Sequence, residues 1–159
     1  MTAWTPPGAT ERLGILRRTR TVALVGASDN PSRASYFVAT YLLSSAPYEV
    51  WFVNPRLDRI LDRPVYPSLA DLPAPPDLVS VFRRHADLPG VLDEAVAAKA
   101  GVLWLQLGLW HDEVAEHGTQ AGLTVVMNRC LKIEHARFAG GLHLAGFNTG
   151  VITSRRPTP

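Results

Sequence analysis

Residues 26–35 combine the side-chain types that bind phosphate groups, and they directly follow a short apolar run. Gly26 permits a sharp turn of the backbone, and the small Ala27 and Ser28 let a bulky anion approach the main chain. The helix predicted next offers free N–H groups and the positive end of its dipole, while Arg33 adds a full charge. Three serines could cap that helix or donate to a phosphate oxygen: Ser28, Ser32 and Ser35. The segment therefore predicts an anion site, with an ordinary strand-to-helix turn as the alternative.

Residues suited to a ligand also follow the other apolar runs of the chain, in the order Asn54-Pro55, Arg83-Arg84, Gly108 and Asn128-Arg129. In an open parallel sheet the carboxyl ends of the strands share one edge, and ligands bind there, where the strand order reverses. Four of these five strand ends, counting the one at Gly26, carry a cation or a tight-turn residue. Their convergence is more informative than any one of them.

The standard nucleotide-binding fingerprints are absent from the sequence. There is no G-x-G-x-x-G, no G-x-x-x-x-G-K-[ST], and no acidic residue closing the second strand to hold a ribose hydroxyl. A nucleotide ligand would therefore be held in another way.

The elements that must position these residues follow from apolar periodicity. Strands are predicted over 21–25, 48–53, 77–82, 102–107 and 124–127, and helices over 11–19, 34–45, 87–100 and 112–121. Asp87 is the predicted cap of the third helix, with Pro89 in its first turn. Strands that are apolar throughout and alternate with helices predict an α/β, Rossmann-like, doubly wound parallel sheet of five or six strands. A Pro-rich connector is predicted over 63–76, and one more strand or a packed hairpin over 131–152.

Length and composition limit the classes of protein that the chain can represent. Its 159 residues predict one domain over 11–152, between a flexible N-terminus (1–10) and a flexible tail (153–159). The apolar content of 47% supports a buried core, and the net charge of +2 gives no basic footprint for nucleic acid. The sequence shows no signal peptide, no membrane span and a single cysteine, so we expect a cytoplasmic protein without an intramolecular disulfide.

The motifs together resemble the small stand-alone CoA-binding proteins, which are similar to the CoA-binding domain of the succinyl-CoA synthetase alpha subunit. The resemblance extends from about residue 13 to residue 135. Its blocks are Val25-Gly-Ala-Ser-x-x-Pro31-x-Arg33-x-Ser35, Val53-Asn-Pro55, Val65-Tyr-Pro-Ser-Leu69, Asp77-Leu-Val-x-Val-Phe-Arg-Arg84, Trp104-Leu-Gln-Leu-Gly108 and Val126-Met-x-Arg-Cys-Leu-Lys-Ile-Glu-His135.

The resemblance implies coenzyme A or an acyl-CoA as ligand, bound at the carboxyl edge of a Rossmann-like sheet. It implies a pyrophosphate on Gly26, Ala27, Ser28 and the helix that follows. The other implied contacts are Pro31, Arg33, Ser35, Asn54, Pro55, Phe82, Arg83, Arg84, Gln106 and Gly108. Two positions depart from the family pattern, since Arg33 stands where lysine is more frequent and Asn128 where aspartate is usual. The phosphorylated histidine of the synthetase lies in a domain that this chain lacks, so the resemblance carries over binding and not ligation.

Other residues have competing interpretations. Cys130 is either a small core residue or a partner for the CoA thiol. A metal at Cys130, Glu134, His135 and His143 has no familiar ligand spacing, and a hydrolase built on Ser28, His111 and Asp112 has no nucleophile motif. We assign no catalytic residue and no metal. Trp51 and Trp104 are expected in the core, while Trp110 is a candidate cover for a ligand or a partner.

Three functions remain open from the sequence. The first is a non-catalytic CoA-binding protein. The second is an enzyme, either an NAD(P)-type nucleotide-dependent oxidoreductase or a fragment of an acyl-CoA ligase, for which no catalytic pair can be named. The third is a CoA-sensing regulatory or interaction module, for which the apolar segment 140–152 is a candidate surface for self-association or for a protein partner.

Overall fold

A sheet in the order β3-β4-β2-β1-β5-β6-β7 forms the centre of the fold in the computed structural model, which describes residues 4–140. Its strands are β1 (Thr21–Val25), β2 (Glu49–Val53), β3 (Arg59–Ile60), β4 (Arg63–Tyr66), β5 (Leu78–Val81), β6 (Val102–Leu105) and β7 (Thr124–Val126). Every pairing is parallel except that of β3 with β4. The predicted α/β, Rossmann-like class is confirmed. The strand number is seven among the described residues, rather than five or six, because the predicted connector over 63–76 begins with β4 and β3 precedes it.

Five helices cover the two faces of the sheet in the described part of the chain: α1 (Ala9–Arg18), α2 (Ala34–Ser45), α3 (Leu88–Ala97), α4 (Asp112–Gln120) and α5 (Leu131–Gly140). Successive strand residues point to opposite faces. Leu24 accordingly packs in the core that contains α1, α2 and α5, while Val25 packs in the core that contains α3 and α4. Trp104 and Trp51 are buried as predicted. No helix among the described residues could cross a membrane.

The segment after β7 is the main correction to the predicted elements. Residues 131–140 form helix α5 instead of a strand or hairpin, and the rest of the predicted segment, 141–152, lies outside the described residues, as does most of the candidate surface 140–152. Its buried side chains recur with helical spacing: Leu131, Glu134, His135 and Phe138. Two of these four are polar, so apolar periodicity alone does not reveal the helix.

The predicted cap of α3 is wrong, and one of the two alternatives for the serines before α2 is excluded. Asp87 occupies the N-cap position of α3 but makes no side-chain cap bond, because its carboxylate pairs with Arg83 and Arg84 at 3.5 and 3.3 Å. None of the serines caps α2, whose N-cap residue is Arg33 and is likewise uncapped by a side chain.

Candidate functional site

The strand order reverses between β1 and β5, which places a crevice at their carboxyl ends. From β1 the chain proceeds through α2 to β2 on one side, and β5, β6 and β7 follow on the other. The ends of the three central strands are in hydrogen-bond contact. The Phe82 N–H donates to the Val25 carbonyl over 2.8 Å, and the Gly26 N–H donates to the Val53 carbonyl over 3.0 Å. The strand tips singled out by the sequence are therefore neighbours.

Gly26 is the residue that allows the chain to turn away from β1 in this crowded position. Its φ of +84° is a conformation that L side chains rarely adopt. A Cβ there would overlap the Phe82 carbonyl oxygen and lie 2.9 Å from Cδ of Arg83. Only glycine meets both conditions, so the crevice between β1 and β5 depends on it.

The loop after Gly26 is held by hydrogen bonds between its own serines and asparagines. The Ser28 N–H donates to Ser35 Oγ over 3.1 Å, and Ser28 Oγ accepts from the Asn30 N–H over 3.0 Å. Asn54, at the end of β2, donates from its amide to the Ala27 carbonyl over 2.8 Å. These bonds fix the loop beside the first turn of α2, whose N-terminus no side chain caps.

A cavity of about 420 Å³ opens at this turn, and we call it the switch-point cavity. It brings together nine of the thirteen residues that the resemblance implies: Gly26, Ala27, Ser28, Arg33, Ser35, Asn54, Phe82, Arg83 and Gln106. Ala34, Leu107 and Leu109 complete its lining. Residues that follow β1, β2, β5 and β6 thus meet around one space. Arg33 and Arg83 line it without a carboxylate, and Arg83 also pairs with Asp87 outside this cavity.

The four other implied residues lie outside this cavity. Pro31 is in the exposed part of the loop before α2, and the side chain of Arg84 is 84% exposed beside Asp87. Gly108, with φ +92°, donates its N–H to Asn128 Oδ1 over 2.8 Å. Asn128 itself has φ +60°, a region that asparagine tolerates better than most residues. Because an aspartate oxygen could accept the same bond, the departure at position 128 preserves this contact.

Pro55 lines a second cavity, of about 530 Å³, which we call the α3 cavity. Val25 and Val53 contribute apolar walls, and Arg83 lines both cavities and so connects them. Two carboxylates, Asp87 and Glu94, also line the α3 cavity. The hydrogen bond from Arg84, with the charges of Arg84 and Arg83, lowers the pKa of Asp87 below its usual range. The α3 cavity therefore combines apolar walls with two carboxylates and one arginine, whereas the switch-point cavity has two arginines and no lining carboxylate.

Gln106 presents a hydrogen-bond donor at the opposite wall of the switch-point cavity. Its Oε1 accepts from the Leu131 N–H over 3.1 Å and from Ser80 Oγ over 3.3 Å, and the side chain is buried. Since the Leu131 N–H can only donate, the oxygen must face α5. The amide nitrogen has no partner among the described residues and is available to a polar group in the cavity.

Leu107 and Leu109 are cavity residues that the sequence does not single out. The apolar run predicts a strand through residue 107, and hence burial, but β6 ends at Leu105. Leu107 is 66% exposed, the most exposed of the large apolar side chains in the described part of the chain. An apolar residue just beyond the last paired residue of a strand is the sequence signal that could have predicted Leu107 as part of the cavity.

The hydrolase site considered from the sequence is not assembled among residues 4–140, whereas the metal site considered there includes His143, which lies outside the described residues. Ser28 bonds within its own loop, His111 Nδ1 accepts from the Val114 N–H over 3.2 Å, and Asp112 accepts from Trp110 over 2.8 Å, so no hydrolase constellation links them. No metal-binding group of three His, Cys, Asp or Glu side chains occurs in that range. Cys130 is half-buried against the core that contains α5.

Known proteins are similar to this chain in both sequence and fold. A family model described as "CoA binding domain" matches residues 20–136. The uncharacterized protein YneT of Bacillus subtilis is 39% identical over 130 residues, which cover 82% of this chain and 96% of that relative. A hypothetical protein from Pyrococcus horikoshii is 34% identical with a TM-score of 0.80, covering 88% of this chain and all of its own (100%). A Thermus thermophilus structure is 36% identical with a TM-score of 0.77, covering 82% of this chain and 98% of its own.

Proposed function

The chain belongs to the CoA binding domain family, and from this premise we propose that it binds coenzyme A across the carboxyl edge of its sheet, at a site without evident catalytic residues. The observation that carries the proposal is the position of Gly26. Its turn opens a cavity between β1 and β5 that the uncapped N-terminus of α2 and two arginines also line. Backbone N–H groups at a helix start together with guanidinium groups are the donors that a pyrophosphate requires.

The charges of the two cavities support one orientation of the ligand. Phosphates belong in the switch-point cavity, where Arg33 and Arg83 contribute charge and no carboxylate lines the wall. The adenine belongs in the α3 cavity, over Val53 and Pro55, where Glu94 would repel an anion. Arg83 lines both spaces, and in this orientation the ribose 3′-phosphate competes with Asp87 for its guanidinium. Gln106 donates to the polar, uncharged pantetheine arm.

An NAD(P)-dependent reaction has less support from the same edge. Asn54 ends β2 where an acidic residue would hold the ribose diol of NAD. Both ends of its side chain are already used, since Nδ2 donates to the Ala27 carbonyl and Oδ1 accepts from the Arg56 N–H over 2.7 Å. The residue therefore holds the loop and offers no carboxylate to a dinucleotide.

Calorimetric titration of the purified protein with CoA tests the proposal, with NADH titrated under the same conditions as the competing ligand. We expect saturable heat with CoA and none with NADH. Mass spectrometry of the natively purified protein provides a second readout, because a co-purifying CoA adds its own mass. The absence of heat at millimolar CoA, or heat with NADH instead, would remove the proposal.

A further inference from the structure

A third cavity, of about 430 Å³, lies beside the carboxyl ends of β6 and β7. We call it the tryptophan cavity and define it by Trp4, Arg12, Leu107, Trp110, Met127 and Arg129, which line it. Trp4 and Arg12 precede residue 20, where the match to the family model begins. Part of the wall of this cavity is therefore formed by residues that lie before the region matched by the family model.

Two indole rings form the apolar wall of this cavity. The rings of Trp4 and Trp110 meet edge to face, with centroids 5.4 Å apart. The Trp4 N–H donates to the Val125 carbonyl and the Trp110 N–H to Asp112, both over 2.8 Å. Because both polar atoms of the rings are occupied, the indoles offer apolar surface to a ligand, as does Met127.

The other wall of the cavity carries uncompensated positive charge. Nε of the buried Arg12 side chain lies 2.6 Å from the buried carboxylate of Glu134, and its Nη1 donates to the Pro7 carbonyl over 2.8 Å. The same carboxylate faces Arg129 at 4.0 Å and Arg137 at 3.6 Å. One negative charge thus serves three guanidinium groups, of which Arg12 and Arg129 line the cavity.

Arg12 also retains hydrogen-bonding capacity. A guanidinium has five N–H donors, and its Nη2 has no partner among the described residues, although the side chain is only 7% exposed. A buried donor of this kind requires an acceptor. An anionic group in the cavity would supply that acceptor and would balance the excess charge.

Leu107 connects this cavity to the proposed CoA site, since it lines both the tryptophan cavity and the switch-point cavity. A pantetheine arm that passes Gln106 and Leu107 would bring its sulfur to the entrance of the tryptophan cavity. We propose, on the basis of the function proposed above, that this cavity receives the acyl group of an acyl-CoA, and that the preferred acyl group has an apolar body ending in a carboxylate. Trp4 and Trp110 pack against the body, and Arg12 and Arg129 bind the carboxylate.

The test is a calorimetric comparison of free CoA, hexanoyl-CoA and adipoyl-CoA on the full chain. The last two have acyl chains of equal length and differ in a terminal methyl or carboxylate. We expect hexanoyl-CoA to bind more tightly than CoA, and adipoyl-CoA to bind at least about tenfold more tightly than hexanoyl-CoA, as a charge-assisted hydrogen bond predicts.

Matched variants locate the effect. Arg129→Met is expected to remove the preference for adipoyl-CoA, whereas Arg137→Met, which takes a charge from the same carboxylate but does not line the cavity, is expected to retain it. Trp110→Ala is expected to bring hexanoyl-CoA to the affinity of CoA, while Phe37→Ala removes another exposed aromatic ring (56% exposed) without that effect. Unchanged affinity for CoA itself shows that each variant is folded.

The outcomes separate the two proposals. Heat with CoA but equal affinity for all three ligands would overturn the acyl site and leave CoA binding intact. No heat with any of the three would overturn both. A preference for adipoyl-CoA that survives in Arg129→Met, or that Arg137→Met removes equally, would overturn the assignment of the carboxylate to this cavity.

Discussion

Replacing Gly26 by alanine should destabilise the fold in two ways, through the backbone conformation and through steric overlap. The same replacement at Gly122 allows the two effects to be separated. Alanine at φ +84° costs about 1–2 kcal/mol for the backbone conformation. Its Cβ would also overlap the Phe82 carbonyl oxygen and crowd Arg83, an overpacking that costs about 1–3 kcal/mol. We therefore expect Gly26→Ala to lower the free energy of unfolding by about 2–5 kcal/mol in total.

Gly122 is the matched control for this experiment. Its φ is +94°, but nothing lies within 4 Å of the position that a Cβ would take. Gly122→Ala should therefore lose only the backbone part, about 1–2 kcal/mol. Denaturant unfolding of both variants, compared at a common slope, gives the difference that belongs to the crowding at Phe82.

The same pair of variants connects the turn to ligand binding. Relieving the overlap must move Phe82 or Arg83, both of which line the switch-point cavity. We expect Gly26→Ala to weaken CoA at least about tenfold, the loss of one charge-assisted bond, and Gly122→Ala to leave the affinity unchanged. Equal stabilities of the two variants would refute the crowding, and wild-type CoA affinity in Gly26→Ala would refute the location of the pyrophosphate.

Three further substitutions probe a phosphate contact, a buried ion pair and a buried histidine. Arg33→Met is expected to weaken the binding of CoA and of dephospho-CoA by the same factor, about tenfold. Arg84→Met, at a side chain outside the cavity, is expected to change neither affinity. In calorimetry, a loss of affinity confined to CoA would place Arg33 at the 3′-phosphate instead. Glu134→Gln leaves the buried Arg12 without its counter-charge and should lower the free energy of unfolding, measured with denaturant, by about 3–5 kcal/mol. Arg137→Met, at an exposed side chain, should lower it by less than about 0.5 kcal/mol. Similar losses in the two variants would contradict a buried Arg12–Glu134 ion pair. Burial lowers the pKa of His135 from its ordinary 6.5, so the unfolded chain binds a proton first as the pH falls, and the free energy of unfolding should decrease below pH 6.5. His135→Gln should reduce that decrease in unfolding curves measured at successive pH values, and an identical pH profile would count against the buried neutral imidazole.

The strands and their shared edge could be predicted because their determinants are local. The helix over 34–45 has the predicted bounds, and the apolar run that ends at Val25 is a central strand. Once the strands are placed, the order of a parallel sheet brings residues such as Gly26, Arg83 and Gln106 to one edge. For these residues, the strand that each one follows is enough to predict that it lies at the carboxyl edge.

The rest depends on partners that are distant in the sequence. Helix α5 buries Glu134 against Arg12, 122 residues away, and His135 against the hydroxyl of Tyr41, 94 residues away. Without knowledge of those partners, two consecutive polar residues predict a solvent-exposed segment. The side chain of Asp87 is predicted to cap α3, but two neighbouring arginines bind it instead.

The division of the edge into three cavities also required the structure. Arg83 connects two of them only because β1 and β5 are adjacent, and no local pattern specifies that adjacency. Trp4 closes the third by donating to the Val125 carbonyl, 121 residues away. Contacts of this separation are decided by tertiary packing, which apolar periodicity does not encode.

A crystal structure of the chain grown with CoA would examine the binding site most directly. We expect the pyrophosphate within about 3 Å of the Ala27 N–H and of the backbone N–H groups in the first turn of α2, with the adenine over Val53 and Pro55. Density for CoA at any other place, or a pyrophosphate that leaves the turn at Gly26 empty, would contradict the proposed function.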